Sequence, residues 1–188
     1  MILSQNNPLI SNLLSAPLTR FQGVCYRMHN PVWAWSPLST EGAVRAGGRF
    51  NPKGSPALYL SLKPETCIAE IAGGASTRLL DPMTLCSYHV DINGVLDLRL
   101  YYQEFSSGWR LELLKKKQPL GWVLYQAIQQ RPEVKALLVP SYQMVGEYNL
   151  VAIRWQDGEI TLYDPDGRLA AVYGDQLTIN HEIKKGLK

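Results

Sequence analysis

Two arginines, a tyrosine and a glutamate, Arg27, Arg49, Tyr59 and Glu70, stand in the stretch from Val24 to Glu70, which contains VCYRMHN, EGAVRAGGRFNPKGSPALYLS and ETCIAE in order. Two fixed cations suit a diphosphate, an aromatic side chain suits a flat ring, and a lone carboxylate suits a sugar cation. Together they predict a site for a dinucleotide. Arg49 follows Gly47-Gly48 and precedes Phe50-Asn51-Pro52. Glycines there would leave backbone N–H groups facing a ligand, and the guanidinium adds a fork matched to phosphate oxygens. Arg27 lies among apolar neighbours, where an arginine needs either an ion-pair partner or an anionic ligand.

Tyr59 is either a half-buried strand tyrosine or a platform for a planar ring and a donor to a ribose hydroxyl. Glu70 falls in ETCIAE, among residues that otherwise belong to a core. A buried carboxylate is costly unless it is paired or used. Ser141, in LLVPSYQ, follows a strand and a proline. No Gly-x-Ser-x-Gly elbow or His-Asp pairing supports it as a nucleophile, so hydrogen bonding to a ligand is its predicted use. Asn149, in GEYNLVAI, either contacts the ligand, orients a neighbouring loop or is structural.

These residues need elements to hold them. Gly23 to His29 reads as a first strand by alternation. Pro31 to Ser55 carries three Pro and four Gly and reads as loop, with a short helix at Thr40 to Arg45. Ala57 to Ser61 is a strand with Leu58 and Leu60 on one face and Tyr59 on the other. A helix begins near Pro64, where proline and Glu65 suit a first turn. Cys67, Ile71 and Gly74 share one side of it, with Glu70 beside them.

Leu85 to Ile92 and Val95 to Leu98 are predicted strands of a hairpin turned by Asn93-Gly94. Leu120 to Gln130 is a helix. Val134 to Pro140, Tyr148 to Trp155 and Ile160 to Tyr163 are strands, the last two joined across Gln156 to Glu159. The class is α+β with a largely antiparallel sheet.

The 188 residues, 46% of them hydrophobic, suffice for one domain with its own core. The net charge of +3 is mild and no basic stripe alternates with aromatics, so nucleic acid is not the expected ligand. Lys115 to Lys117 reads as a solvated helix face. Cys25, Cys67 and Cys86 are odd in number and widely spaced, and His29, His89 and His181 fall in no ligand spacing. Neither a disulfide framework nor a metal site is expected. The first twenty residues lack the pattern of a secretory signal, and no segment is long and apolar enough to span a membrane. A cytoplasmic protein is expected, although delivery into another cell by a dedicated machine would leave no such signal.

The string YR, EGAVRAGGRFNPKGSPALYLS, ETCIAE, VPS and YNLV resembles the RES-domain toxins, a family named after an Arg, a Glu and a Ser. The resemblance covers roughly Phe21 to Trp155. It implies a single RES-like domain over 1–188, its core at about 21–155, with 1–20 and 156–188 as peripheral extensions. It also implies an ADP-ribosyltransferase-like fold, a split and largely antiparallel sheet flanked by helices. The implied activity consumes NAD as substrate without a metal, and the implied partner is an Xre-type antitoxin that binds and blocks the toxin in an oligomer. By position, the family's site residues match Arg27, Arg49, Tyr59, Glu70 and Ser141. Phe50 stands where the family usually carries tryptophan.

One carboxylate suffices for this chemistry. Glycosidases need two because the leaving oxygen must be protonated. The pyridinium nitrogen of NAD leaves as neutral nicotinamide, so the demand is for stabilising the ribosyl cation and guiding a nucleophile. Glu70 is expected to do both while Arg27 and Arg49 hold the diphosphate. Tyr59 would pack at the nicotinamide end, and Ser141 would bond nicotinamide or its ribose. Hydrolysis or phosphorolysis of NAD is the leading expectation. Transfer of ADP-ribose onto a protein, a secreted NADase with an immunity partner, and an inactive nucleotide-binding module are the alternatives.

Overall fold

The computed structural model describes residues 7–73, 82–105 and 108–174. Gly74 and the tail lysines lie outside them. Six strands form one sheet: β1 (Thr19–His29), β2 (Leu58–Ser61), β3 (Thr84–Asp97), β4 (Ala136–Pro140), β5 (Tyr148–Ala152) and β6 (Ile160–Tyr163). The order β1-β2-β5-β4-β3 closes on itself, because β3 also pairs with β1. Where a split sheet was expected, five strands make a ring. The cause is length: β1 and β3 are the two longest strands and pair from Thr19↔Val95 to His29↔Thr84. Only β3 and β4 run parallel, in keeping with the antiparallel expectation.

The ring has an inside and an outside, set by the two-residue period of its strands. Leu58 and Leu60 of β2, Leu138 of β4 and Leu150 of β5 join Cys25, Tyr88 and Val90 in a cluster drawn wholly from strands. That cluster is the interior. Leu137, Val139 and Val151 point the other way, to a second cluster that contains helix residues. The helices there are α1 (Pro8–Ser15) and, much later in the chain, α5 (Leu120–Ala127). Ile10 and Leu13 of α1 are fully buried, which is worth about 1.5–3 kcal/mol for each side chain. Asn7 caps α1 by accepting from the Leu9 and Ile10 amides. α5 continues as one 3₁₀ turn, Ile128–Gln130.

The hairpin expected at Asn93-Gly94 does not exist. β3 runs straight through, and Gly94 is a bulge at φ +74° where the register with β1 slips between Thr19 and Arg20. A glycine is needed there: a Cβ would lie 2.0 Å from the Glu133 carbonyl oxygen, while the Gly94 carbonyl accepts from the Lys135 amide. The bulge thus admits the segment leading into β4. β6 does not pair with β5. It crosses to pair with β3, through Ser87↔Tyr163 to Val90↔Ile160.

α2 (Glu41–Ala46) lies within the glycine-rich loop, α3 (Pro64–Ala72) follows β2, and α4 is Trp109–Leu114. Lys115 to Lys117 are exposed just past the end of α4, not along its face.

Candidate active site

β2 ends at Ser61, and after two residues Pro64 opens α3 with Glu65 in its first turn. Glu70 is half-buried in the last turn of this helix. That is the negative end of the helix dipole, where a carboxylate is disfavoured unless donors compensate. Three donors do. Ser141 Oγ donates to Glu70 Oε1 at 2.7 Å, Asn149 Nδ2 at 2.7 Å and the Tyr142 amide at 3.1 Å. All three converge on one oxygen, and no hydrogen bond from a described residue ends on Oε2.

The sheet register explains the convergence. Ser61 pairs with Asn149, which pairs with Val139 on its other side, while Pro140 pairs with Tyr148. The ends of β2 and β4 and the start of β5 are therefore adjacent. Ser141 is 1% exposed and accepts from the Met144 amide at 3.1 Å, so its proton is directed to Glu70. Asn149 Oδ1 is buried without a hydrogen-bond partner among the described residues.

Arg49 reaches the same corner, donating from Nη2 to the Pro140 carbonyl at 2.6 Å with its guanidinium 4.8 Å from the centre of the Phe50 ring. Burial lowers its pKa and the charge of Glu70 opposes that fall. The loop carrying Arg49 is locked from within. Tyr59 Oη donates to Asn51 Oδ1 at 2.8 Å and accepts from the Phe50 amide at 3.0 Å. Asn51 Nδ2 in turn donates to the carbonyls of Ala43, Pro52 and Ser55. Gly48 must be glycine, since a Cβ would lie 2.3 Å from Tyr59 Oη.

Two expectations are corrected here. The Gly47 and Gly48 amides do not face a ligand, because Gly47 N–H donates to Ala43 at the end of α2 and Gly48 N–H to Asn51. The Tyr59 hydroxyl likewise donates its one proton within the loop, to Asn51, and so has none to give a ribose hydroxyl.

Arg27, near the end of β1, donates from Nη1 to the carbonyls of Pro37 at 3.1 Å and Ser39 at 2.9 Å. Burial lowers its pKa too. Neither Arg27 nor Arg49 forms a salt bridge with a described residue. The ion-pair reading of Arg27 is thus excluded among the described residues. The charge of Arg27 lowers and that of Glu70 raises the pKa of the Cys67 thiol, one turn before Glu70 in α3. Burial pushes that thiol up to about 11, so it stays protonated and unreactive near neutral pH.

Sequence reasoning missed the support beneath Arg49. The Trp122 indole donates to the Gly48 carbonyl at 2.7 Å, and a Cβ on Gly121 would lie 2.1 Å from the Arg49 carbonyl oxygen. Trp122 reads from sequence as part of one face of the Leu120 to Gln130 helix, with Tyr125, and nothing local ties that face to Gly48.

His29 closes the wall beside Arg27. Tyr88 Oη donates to the Pro37 carbonyl at 2.9 Å, so the 2.8 Å contact with His29 requires the imidazole Nε2–H to donate. Burial, and then the Arg27 charge, lower the His29 pKa to about 3. The folded protein therefore binds fewer protons than the unfolded chain from about pH 6.5 down to about 3, and stability falls with pH across that window. Between pH 7.5 and 5.0 this group should remove about 2 kcal/mol of stability, at about 1.4 kcal/mol per unit below its unfolded pKa. His29→Gln, compared with wild type by urea denaturation at both pH values, should lose less by about that amount. Equal acid losses would refute this assignment.

Strands and helices together form a closed-sheet α+β domain in which Arg49 and Glu70 meet at one corner. A family model described as the RES domain matches residues 24–171. The chain belongs to the RES domain family. Among solved structures, the crystal structure of the M. tuberculosis MbcT–MbcA toxin–antitoxin complex is similar, with 23% sequence identity and a TM-score of 0.65 over 92% of this chain and 98% of that chain. No curated protein matches the sequence. Among the described residues, no helix is long and apolar enough to cross a membrane.

Proposed function

We propose that this chain is a toxin that cleaves the nicotinamide–ribose bond of NAD and is held in check by an antitoxin. The observation that carries this reading is a carboxylate with one oxygen fixed and the other without a hydrogen bond from a described residue, near Arg49, while Arg49 and Arg27 are half-buried guanidinium groups that have no ion-pair partner among the described residues. Half-buried cations without an ion-pair partner favour an anionic ligand. Arg27 and Arg49 would hold the diphosphate, and Glu70 would face the ribose.

As the C–N bond breaks, its electron pair goes to the pyridinium nitrogen and neutral nicotinamide departs. The carboxylate stabilises the cation left on the ribose, and water or phosphate then bonds to the anomeric carbon, losing a proton. RES-domain membership supports NAD as the substrate, and the likeness to a toxin from a toxin–antitoxin complex supports a protein inhibitor.

The test is nicotinamide release by the purified chain, with and without phosphate. Release in both conditions, with free ADP-ribose or its 1″-phosphate as coproduct, is the expected result. A labelled protein band after incubation with labelled NAD and extract, without free product, would replace hydrolysis by ADP-ribose transfer. No release under any condition would overturn the enzymatic reading.

A further inference from the structure

Glu70 is held by a segment that grips its whole helix. Residues Ser141 to Glu147 form a closed loop, with the Ser141 amide donating to the Glu147 carbonyl at 2.7 Å and the Glu147 amide to Met144 at 3.1 Å. This loop meets α3 at three levels. At the start of the helix, Lys63 Nζ pairs with Glu147 Oε1 at 2.6 Å. In the last turn, Ser141 Oγ and the Tyr142 amide bind Glu70 Oε1. At the end, the Gln143 side chain lies over Gly73, where a Cβ would come within 2.0 Å of Gln143 Cδ. Asn149 adds the third donor from β5.

We propose that Ser141 and Asn149 are positioning residues, not ligand contacts: with the 141–147 loop as a brace, they fix Glu70 Oε1 and leave Oε2 to face the reacting ribose. The chemistry of each side chain requires it. Ser141 has one proton, already donated to Glu70, and its oxygen receives the Met144 amide. Asn149 is 8% exposed and turns its amide protons to the carboxylate, leaving Oδ1 buried. The opposite amide orientation would set Oδ1 against Oε1, two acceptors facing each other. Three donors on one oxygen hold the carboxylate against rotation, so its free oxygen is presented before substrate arrives.

The kinetic part of this inference rests on the NAD reading; the structural part does not. Ser141→Ala and Asn149→Ala should each lower kcat by about 10- to 100-fold, the loss attached to a hydrogen bond on a charged group, while NAD binding stays within about twofold. Ser141→Thr, which keeps the hydroxyl, should recover most of the rate. Weaker NAD binding at unchanged kcat would overturn the proposal by making these residues ligand contacts.

Amide hydrogen exchange gives a readout that needs no substrate. In Glu70→Ala the Tyr142 amide should exchange at least about tenfold faster than in wild type, because its acceptor is gone. Unchanged exchange would remove the brace whatever the enzyme does to NAD. Fast exchange in a protein that never releases nicotinamide would leave the brace standing and refute the proposed reaction alone.

Discussion

Glu70→Gln should fold as wild type and release nicotinamide about 10²- to 10³-fold more slowly, the size of effect seen when one group stabilising a developing charge is removed. The substitution keeps the shape of the side chain, and its amide oxygen can still accept from Ser141, Asn149 and the Tyr142 amide. What disappears is the negative charge that offsets the ribosyl cation. Thermal melts check that the fold survives, and initial rates at saturating NAD check the chemistry. Because the loss is in the transition state, where positive charge has moved from the pyridinium onto the ribose, and not in ground-state binding, it should fall on kcat with little change in the dissociation constant for NAD. A variant that retains wild-type turnover would remove Glu70 from the reaction.

Arg27→Ala and Arg49→Ala should act in the opposite sense, on binding first. A hydrogen bond to a charged group is worth about 1.5–3 kcal/mol, which is about a 10- to 150-fold loss of affinity for each arginine. The two differ in their side effects. Arg27→Ala also leaves the Pro37 and Ser39 carbonyls without its donor, so its stability should fall more than its location alone suggests. Arg27→Lys keeps a cation while losing the planar fork that spans these carbonyls, and separates charge from geometry. Isothermal titration with NAD on each variant, at matched salt, is the measurement. Wild-type affinity in both alanine variants would contradict the diphosphate assignment.

Parts of this architecture were legible in the order of residues. Alternation in ALYLS and the proline that opens ETCIAE located β2 and α3, and a carboxylate within the latter marked Glu70 before any neighbour was known. The GGRFNP segment announced a turn that presents an arginine. The direction of its amides was illegible, because that depends on Ala43 closing α2 and on Asn51 returning across the turn.

Asn93-Gly94 misled for a related reason. The same positive-φ preference that makes a hairpin also makes a bulge, and only the approach of Glu133 decides between them. Ser141 and Asn149 lie 71 and 79 residues from Glu70, so no local pattern could reveal that both point at the same oxygen. Their residue types were visible; their shared target was a product of strand pairing. The ring itself was hidden as well, since closure depends on how far β1 and β3 travel together.

The carbonyl of Pro140 receives Arg49, and the hydroxyl of the very next residue holds Glu70. A single peptide link therefore acts as a ruler between the cation that would grip the substrate and the acid that would act on it. Both are thus anchored to the same short piece of backbone, so a substitution that shifts this link should disturb cation and acid together. Proline's ring fixes the backbone angle φ at the first residue of that link, which stiffens the ruler.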